Sequence, residues 1–344
     1  MGVLLSSFMR DNGSAIASSR TPILASGPFW GLLGVLAFSF TVPFTRVAVG
    51  GGALSPLLVG AGRAVIAAAL AAAALIWTRQ RLPQGAQWWR LVVVAGGVVV
   101  GFPLLTSFAL TRTEAAHGAV VIALLPAATA VAAVLRVGER PPRTFWVASI
   151  VGAVVAVGFA VVQGGGLGGV GAPDLLLCGA VVAAAVGYAE GGLLARELGA
   201  WQTVSWALVV SSPVMTVLAA SAWVAAPPQA GPVEWAAFGY LAVVSMWLGF
   251  FAWYRGLAMG PMARVSQVQL TQPVMTIAWA ALFLHERVTA LTVVGGIAVI
   301  LCAALAVRSR QAAPGGSGRR DVVLDVGEPA GGGGVAGHPP VASR

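Results

Sequence analysis

Between residues 29 and 308 the chain is an almost unbroken series of apolar runs, separated only by short Gly, Pro or Arg breaks. A helix needs about 20 mostly apolar residues to cross a bilayer core, and few other folds tolerate such runs. Ten runs satisfy this length: 29–49, 55–77, 89–110, 115–136, 144–163, 173–194, 202–225, 235–256, 262–284 and 289–308. Charged residues are only 9% of the 344, against about 25% in a soluble domain. Too little charge is present to build a water-facing surface, so the sequence predicts an all-α polytopic membrane protein of ten spans. Residues 1–28 read as a cytoplasmic N-terminal segment expected to be retained, and residues 309–344 as a Gly/Pro-rich disordered cytoplasmic tail.

The net charge of +9 comes from 20 arginines and no lysine. They lie between apolar segments, not in a patch, so no nucleic-acid partner is expected. Their distribution sets the orientation. With the N-terminus cytoplasmic, eleven arginines of the membrane-flanking segments fall on the inner side and three on the outer side. Both termini are therefore expected in the cytoplasm, in a cell inner membrane or plasma membrane. Cys178 and Cys302 lie inside apolar runs, without disulfide or metal spacing. Gly164–Gly171 lacks the Lys-Ser/Thr of a nucleotide loop. No cofactor, metal or catalytic residue is expected, and the chain does not read as an enzyme.

An internal repeat carries more information. Ala116–Pro126 followed by Gly138-Glu139-Arg140 resembles Ala263–Pro273 followed by His285-Glu286-Arg287. Both the prolines and the glutamates are 147 positions apart. The offset equates the fourth span with the ninth, so the repeat unit is five helices (29–163 and 173–308). Because five is odd, the second copy enters the membrane in the opposite sense. Inverted repeats give two conformations of similar energy that open to opposite sides, an arrangement suited to transport.

These residues, together with Trp30-Gly31, Pro43 and Arg46 in the first span and Ser55-Pro56 … Gly62-Arg63 entering the second, resemble EamA-type permeases of the drug/metabolite transporter superfamily. The resemblance covers residues 28–308. It implies ten helices and export or exchange of small organic solutes such as amino acids, metabolites or drugs. Arg46 stands where a lysine is common, and Pro141-Pro142 follows the first Glu-Arg but not the second.

Polar residues inside spans are candidate site residues. Arg63 either attracts an anionic group or braces carbonyls near an interface. Glu190, the one carboxylate well within a span, either carries a coupling proton or pairs with Arg196 or Arg255. Its neighbours Gly187 and Gly191 form a GxxxG packing pair beside Tyr188. Ser266, Gln269, Pro273 and Thr276 share one helix face, bordered by Gln272, that must look at a cavity or a partner helix. Trp247, Trp253 and Tyr254 are candidates for an aromatic cavity wall. Pro43, Pro126 and Pro273 are hinges or static kinks. Glu139, Arg140, Glu286 and Arg287 read as gating or helix-end salt bridges. His117 and most tryptophans, including Trp88, Trp89, Trp146, Trp201 and Trp235, read as interfacial.

The expected partners are a small-molecule substrate and the lipid bilayer, with the chain acting as a monomer or homodimer. The expected function is secondary transport by alternating access, as an exporter or exchanger, with proton coupling as one option. Rival readings are an uptake permease or passive facilitator, and a non-transporting membrane scaffold.

Overall fold

The computed structural model describes residues 26–137, 142–163, 171–259 and 268–311. These residues are helical and contain no strand. We number the helical segments α1 (Gly27–Gly50), α2 (Pro56–Trp77), α3 (Ala86–Ala109), α4 (Ala115–Arg136), α5 (Arg143–Gln163), α6 (Ala172–Leu198), α7 (Ala200–Ala225), α8 (Pro232–Met259), α9 (Gln269–Leu284) and α10 (Ala290–Gln311). Among the described residues seven are long and apolar enough to cross a membrane. Within α5, α9 and α10 the apolar stretches are shorter, at Arg143–Ala156, Gln269–Leu284 and Ala290–Leu305.

Local chemistry fixes many of the ends. Ser55 Oγ accepts from the Leu58 amide at 3.2 Å, and Pro56 needs no partner in the first turn of α2. Asp174 accepts from the Gly171 amide at the start of α6. Gly199, at φ +99°, turns the chain between α6 and α7, a conformation that favours glycine. Arg46 donates to the carbonyls of Leu110 and Thr111, satisfying the end of α3.

Packing joins segments distant in sequence. α2 lies along α7, α10 along α5, α1 along α8, and α6 against both α3 and α4. Without a hydrophobic force between apolar helices in lipid, close backbone approach has to supply the attraction. Gly97 and Gly187 provide it between α3 and α6: a Cβ on Gly97 would lie 2.4 Å from the Ala183 carbonyl oxygen. Gly31 and Gly256 provide it between α1 and α8. Large apolar side chains such as Trp77, Val224, Leu135 and Leu175 are left exposed, as a lipid-facing surface requires. The protein is a multi-pass membrane protein. Of the tryptophans read as interfacial, Trp88, Trp89, Trp146 and Trp235 are exposed, whereas Trp201 is 8% exposed and packs against Phe251.

Candidate functional site

The helices that matter most are interrupted. α1 breaks at Phe40, between Gly27–Ser39 and Thr41–Gly50. α3 and α8 loosen into π-helix over Ala95–Gly101 and Leu241–Leu248. α4 breaks at Ala123 and Leu124, and α9 opens with a tight turn over Gln269–Thr271. A shift of 147 positions places the α3 π-segment within that of α8, and the α4 break on the α9 turn. Irregular backbone at membrane depth is tolerated only where it is buried in protein or lines a cavity.

The break in α1 has a chemical cause. Pro43 lacks an N–H and so leaves the Ser39 carbonyl without its helical donor. Thr276 Oγ1 donates to that carbonyl at 3.0 Å, and Trp279 Nε1 donates to Ser39 Oγ at 2.9 Å. A proline and a threonine singled out independently in the sequence thus meet at one acceptor. The Trp279 ring also stacks on Phe40, with centroids 4.6 Å apart.

Two neighbouring cavities lie between the interruptions. The first is bounded by Phe38, Thr41 and Val42 of α1, Arg63 of α2, Val98, Phe102 and Pro103 of α3, Leu125 of α4, Ala184 and Tyr188 of α6, Ser245, Met246 and Phe250 of α8, and Gln272 of α9. It spans about 460 Å³, solvent at its mouth included, but its walls converge so that it admits only water-sized occupants. The second lies between Ala119, Ile122, Leu125 and Pro126 of α4 and Gln269, Gln272, Pro273 and Thr276 of α9. Its walls mirror one another: Ile122 and Gln269, and Pro126 and Pro273, are 147 positions apart. The first cavity repeats the rule with Thr41 and Tyr188, Val98 and Ser245, Pro103 and Phe250, and Leu125 and Gln272. Arg63 has no polar counterpart, since Val210 occupies its equivalent position.

Polar atoms without hydrogen-bond partners gather here. Arg63 is 1% exposed, and its Nε and Nη2 make no hydrogen bond; Gln272 Oε1 and Gln269 Nε2 are likewise unpaired. A buried unpaired polar group is costly, so such a cluster is a candidate binding place. Thr41 Oγ1 and Ser245 Oγ are hydrogen-bonded at 2.7 Å across the cavity.

Not every sequence candidate reaches a cavity. Trp247 donates through Nε1 to Ser205 of α7 at 3.2 Å. Tyr254 is fully buried, with its hydroxyl against Gly191, and Trp253 packs on Gly34. These three build the α1–α8–α7 core; Trp253 is one ring removed from the cavity, 6.0 Å from Tyr188. Ser266, Glu139 and Arg140 lie outside the described residues. Thr41, Ser245, Phe38 and Phe250 went unnoticed in the sequence, although Ser245 is the lone polar residue of Leu241–Leu248.

Charged contacts hold the two ends of α4. At its C-terminal end Arg136 Nε pairs with Glu190 Oε2 at 2.6 Å. Arg90 of α3 bonds the other Glu190 oxygen and also Glu197. Glu190 therefore does not pair with Arg196 or Arg255; the latter sits over the Trp30 ring at 4.7 Å. At the N-terminal end His117 Nε2 lies 2.7 Å from Asp174 Oδ1. Beside it, both carboxylate oxygens of Glu286 accept from the Ala115 and Ala116 amides at 2.9 Å. Glu286 is thus a helix cap supplied by another span, whereas Arg287 is exposed. The two clusters are about 30 Å apart along α4 at 1.5 Å per residue.

Comparison with known proteins identifies the family. The chain is 45% identical over 286 residues to the uncharacterized transporter YdeK of Bacillus subtilis (strain 168), covering 81% of this chain and 96% of that protein. A solved structure described only as the crystal structure of a protein superposes with a TM-score of 0.56 at 19% identity, over 83% of this chain and 97% of that one. The model of the EamA-like transporter family matches twice, over residues 25–161 and 172–308. The chain belongs to the EamA-like transporter family.

Proposed function

We propose that the protein is a secondary transporter that exports or exchanges small organic solutes by alternating access. In this reading ten spans form two inverted five-helix repeats, with both termini cytoplasmic. The carrying observation is the central cavity, whose walls are built from residues 147 positions apart at the points where the helices are interrupted. Separate polar clusters at the two ends of α4 support the second half of the mechanism: each is a latch that can open while the other stays closed. The sequence carries no nucleotide-loop motif, so in this reading a gradient of solute or ion drives the cycle. It works in the bilayer as a monomer or homodimer.

Alternating access is tested by cysteine labelling of Ser245→Cys and Gln269→Cys in oriented vesicles. Reactivity from both sides, in mutually exclusive states, is expected. Protection from both sides under all conditions would return the protein to a scaffold role. Direction is tested by counterflow in proteoliposomes, where net uptake without exchange would favour an uptake permease or passive facilitator.

Coupling is placed at Glu190. Two guanidinium groups hold this carboxylate, so in this reading it takes a proton only once the latch that joins α3, α4 and α6 has opened, and the proton then keeps Arg90 and Arg136 from re-pairing with it. An imposed pH gradient should drive flux in the wild type and fail to do so in Glu190→Gln. Flux indifferent to the gradient in both proteins would remove proton coupling altogether.

A further inference from the structure

We infer that the central cavity takes a monoanionic, apolar solute, an organic carboxylate, with the carboxylate held by Arg63. The inference rests on the transporter reading above and names its substrate class. Three observations support it. First, Arg63 is the only cation among the described lining residues, and its Nε and Nη2 have no partner although the side chain is 1% exposed. A guanidinium withdrawn from water and left unpaired is satisfied by an anion, and its planar donors suit a carboxylate. Second, the described lining residues contain no carboxylate that could accompany Arg63 or receive an ammonium group. Glu190 is occupied by two arginines instead. Third, the hydrogen-bonding groups nearby are neutral and few, the Thr41–Ser245 hydroxyl pair, Tyr188 and Gln272, while the rest of the wall is apolar, with Phe38, Phe102 and Phe250 its largest side chains.

One cation balances one negative charge. A phosphate dianion would need further positive charge, which the described walls of this cavity do not provide. A cationic solute would face Arg63 across a narrow apolar space. The solute therefore enters with its carboxylate toward α2 and its apolar body against the phenylalanines of α1, α3 and α8. Because the cavity as it stands admits only water-sized occupants, its walls must part for the solute to enter.

The test uses one apolar skeleton with three head groups: isocaproate, isocaproamide and isohexylamine. Thermal unfolding of the full-length protein in detergent is followed with each at the same concentration, since a ligand bound to the folded state raises the midpoint. The carboxylate alone should stabilise the wild type. Truncating one partner of a buried charge pair costs about 2–5 kcal/mol, so Arg63→Gln should weaken carboxylate binding by about 30-fold or more. Arg63→Lys should retain part of it. Should Arg63→Gln fail to fold, Ser245→Asp serves instead: it puts a carboxylate into the same cavity, and binding of isocaproate should fall while isohexylamine gains.

Stabilisation by the amide or amine equal to that by the carboxylate overturns the inference, as does carboxylate binding that survives Arg63→Gln or Ser245→Asp. Absence of any carboxylate effect across a wider set of aliphatic and aromatic acids overturns it too. None of these outcomes touches the labelling of Ser245→Cys, so the anion assignment and the transporter reading fail separately.

Discussion

The cap that Glu286 places on α4 can be broken by one substitution. The first amides of a helix have no partner within it. Those of Ala115 and Ala116 are both bonded at 2.9 Å by a carboxylate that arrives from the end of α9. Hydrogen bonds to a charged group contribute about 1.5–3 kcal/mol when well made. Glu286 is only partly buried, so for the pair together we take about 2 kcal/mol, near the top of the range for helix caps. Glu286→Ala should therefore raise the local opening constant at the start of α4 by about 30-fold. Glu286→Gln, which keeps one acceptor but loses the charge, should raise it several-fold less. Hydrogen–deuterium exchange over residues 112–119 reads this directly, with residues 56–77 of α2 as an internal control. Unchanged exchange at Ala115 and Ala116 in Glu286→Ala would refute both the cap and the idea that it latches this end. Labelling of Gln269→Cys in the same background should rise from the side on which α4 begins.

Other parts of the structure make separate predictions. Thr276→Val strands the carbonyl that Pro43 has freed and should cost about 1–3 kcal/mol in thermal unfolding. Adding Pro43→Ala restores a backbone donor to Ser39, so the double variant should recover part of that loss, and simple additivity would refute the link. Gly97→Ala drives a methyl group to 2.4 Å from the Ala183 carbonyl oxygen, whereas Gly96→Ala meets nothing within 4 Å. The first should sharply reduce the yield of folded protein and the second should leave it unchanged, as read by size-exclusion profile. Arg90 has a side-chain exposure of 15% against 51% for Arg136. Arg90→Ala should therefore lower the unfolding midpoint more than Arg136→Ala, and both effects should shrink in a Glu190→Gln background.

Much of this architecture is written in local sequence. Apolar runs mark the helices because lipid leaves the backbone no other solution. Prolines mark the breaks in α1, α4 and α9 because a missing N–H acts on its own neighbourhood. The polar face of α9 is legible for the same reason: Gln269, Gln272 and Thr276 could not face lipid. The π-segment of α8 is a different matter. Leu241–Leu248 contains no proline, glycine or charge, and its lone Ser245 gains meaning only from Thr41, 204 positions away. Aromatic residues mislead in the opposite sense. Trp247 and Tyr254 satisfy a cavity wall and a helix-packing core equally well by composition, and only their partners Ser205 and Gly191 decide between them. Glu190 was legible as an expensive group but not in its partners, because Arg90 and Arg136 reach it from helices 100 and 54 positions away.

Apart from Thr41 and Tyr188, which both carry hydroxyls, the paired walls of the central cavity match in position but not in chemistry. Val98 faces the role of Ser245, Pro103 that of Phe250, and Leu125 that of Gln272. Duplication supplies two copies of a wall. Inside the cavity the first copy is mostly hydrocarbon along α3 and α4, while the hydrogen bonds that tie these helices to the second half gather at the two ends of α4. In the proposed transporter Tyr188, Ser245 and Gln272 carry the neutral polar contacts of the second half, and Arg63 of the first half carries the charge. Exchanges at those three positions would then retune shape and hydrogen bonding while the preference for charge stays with α2.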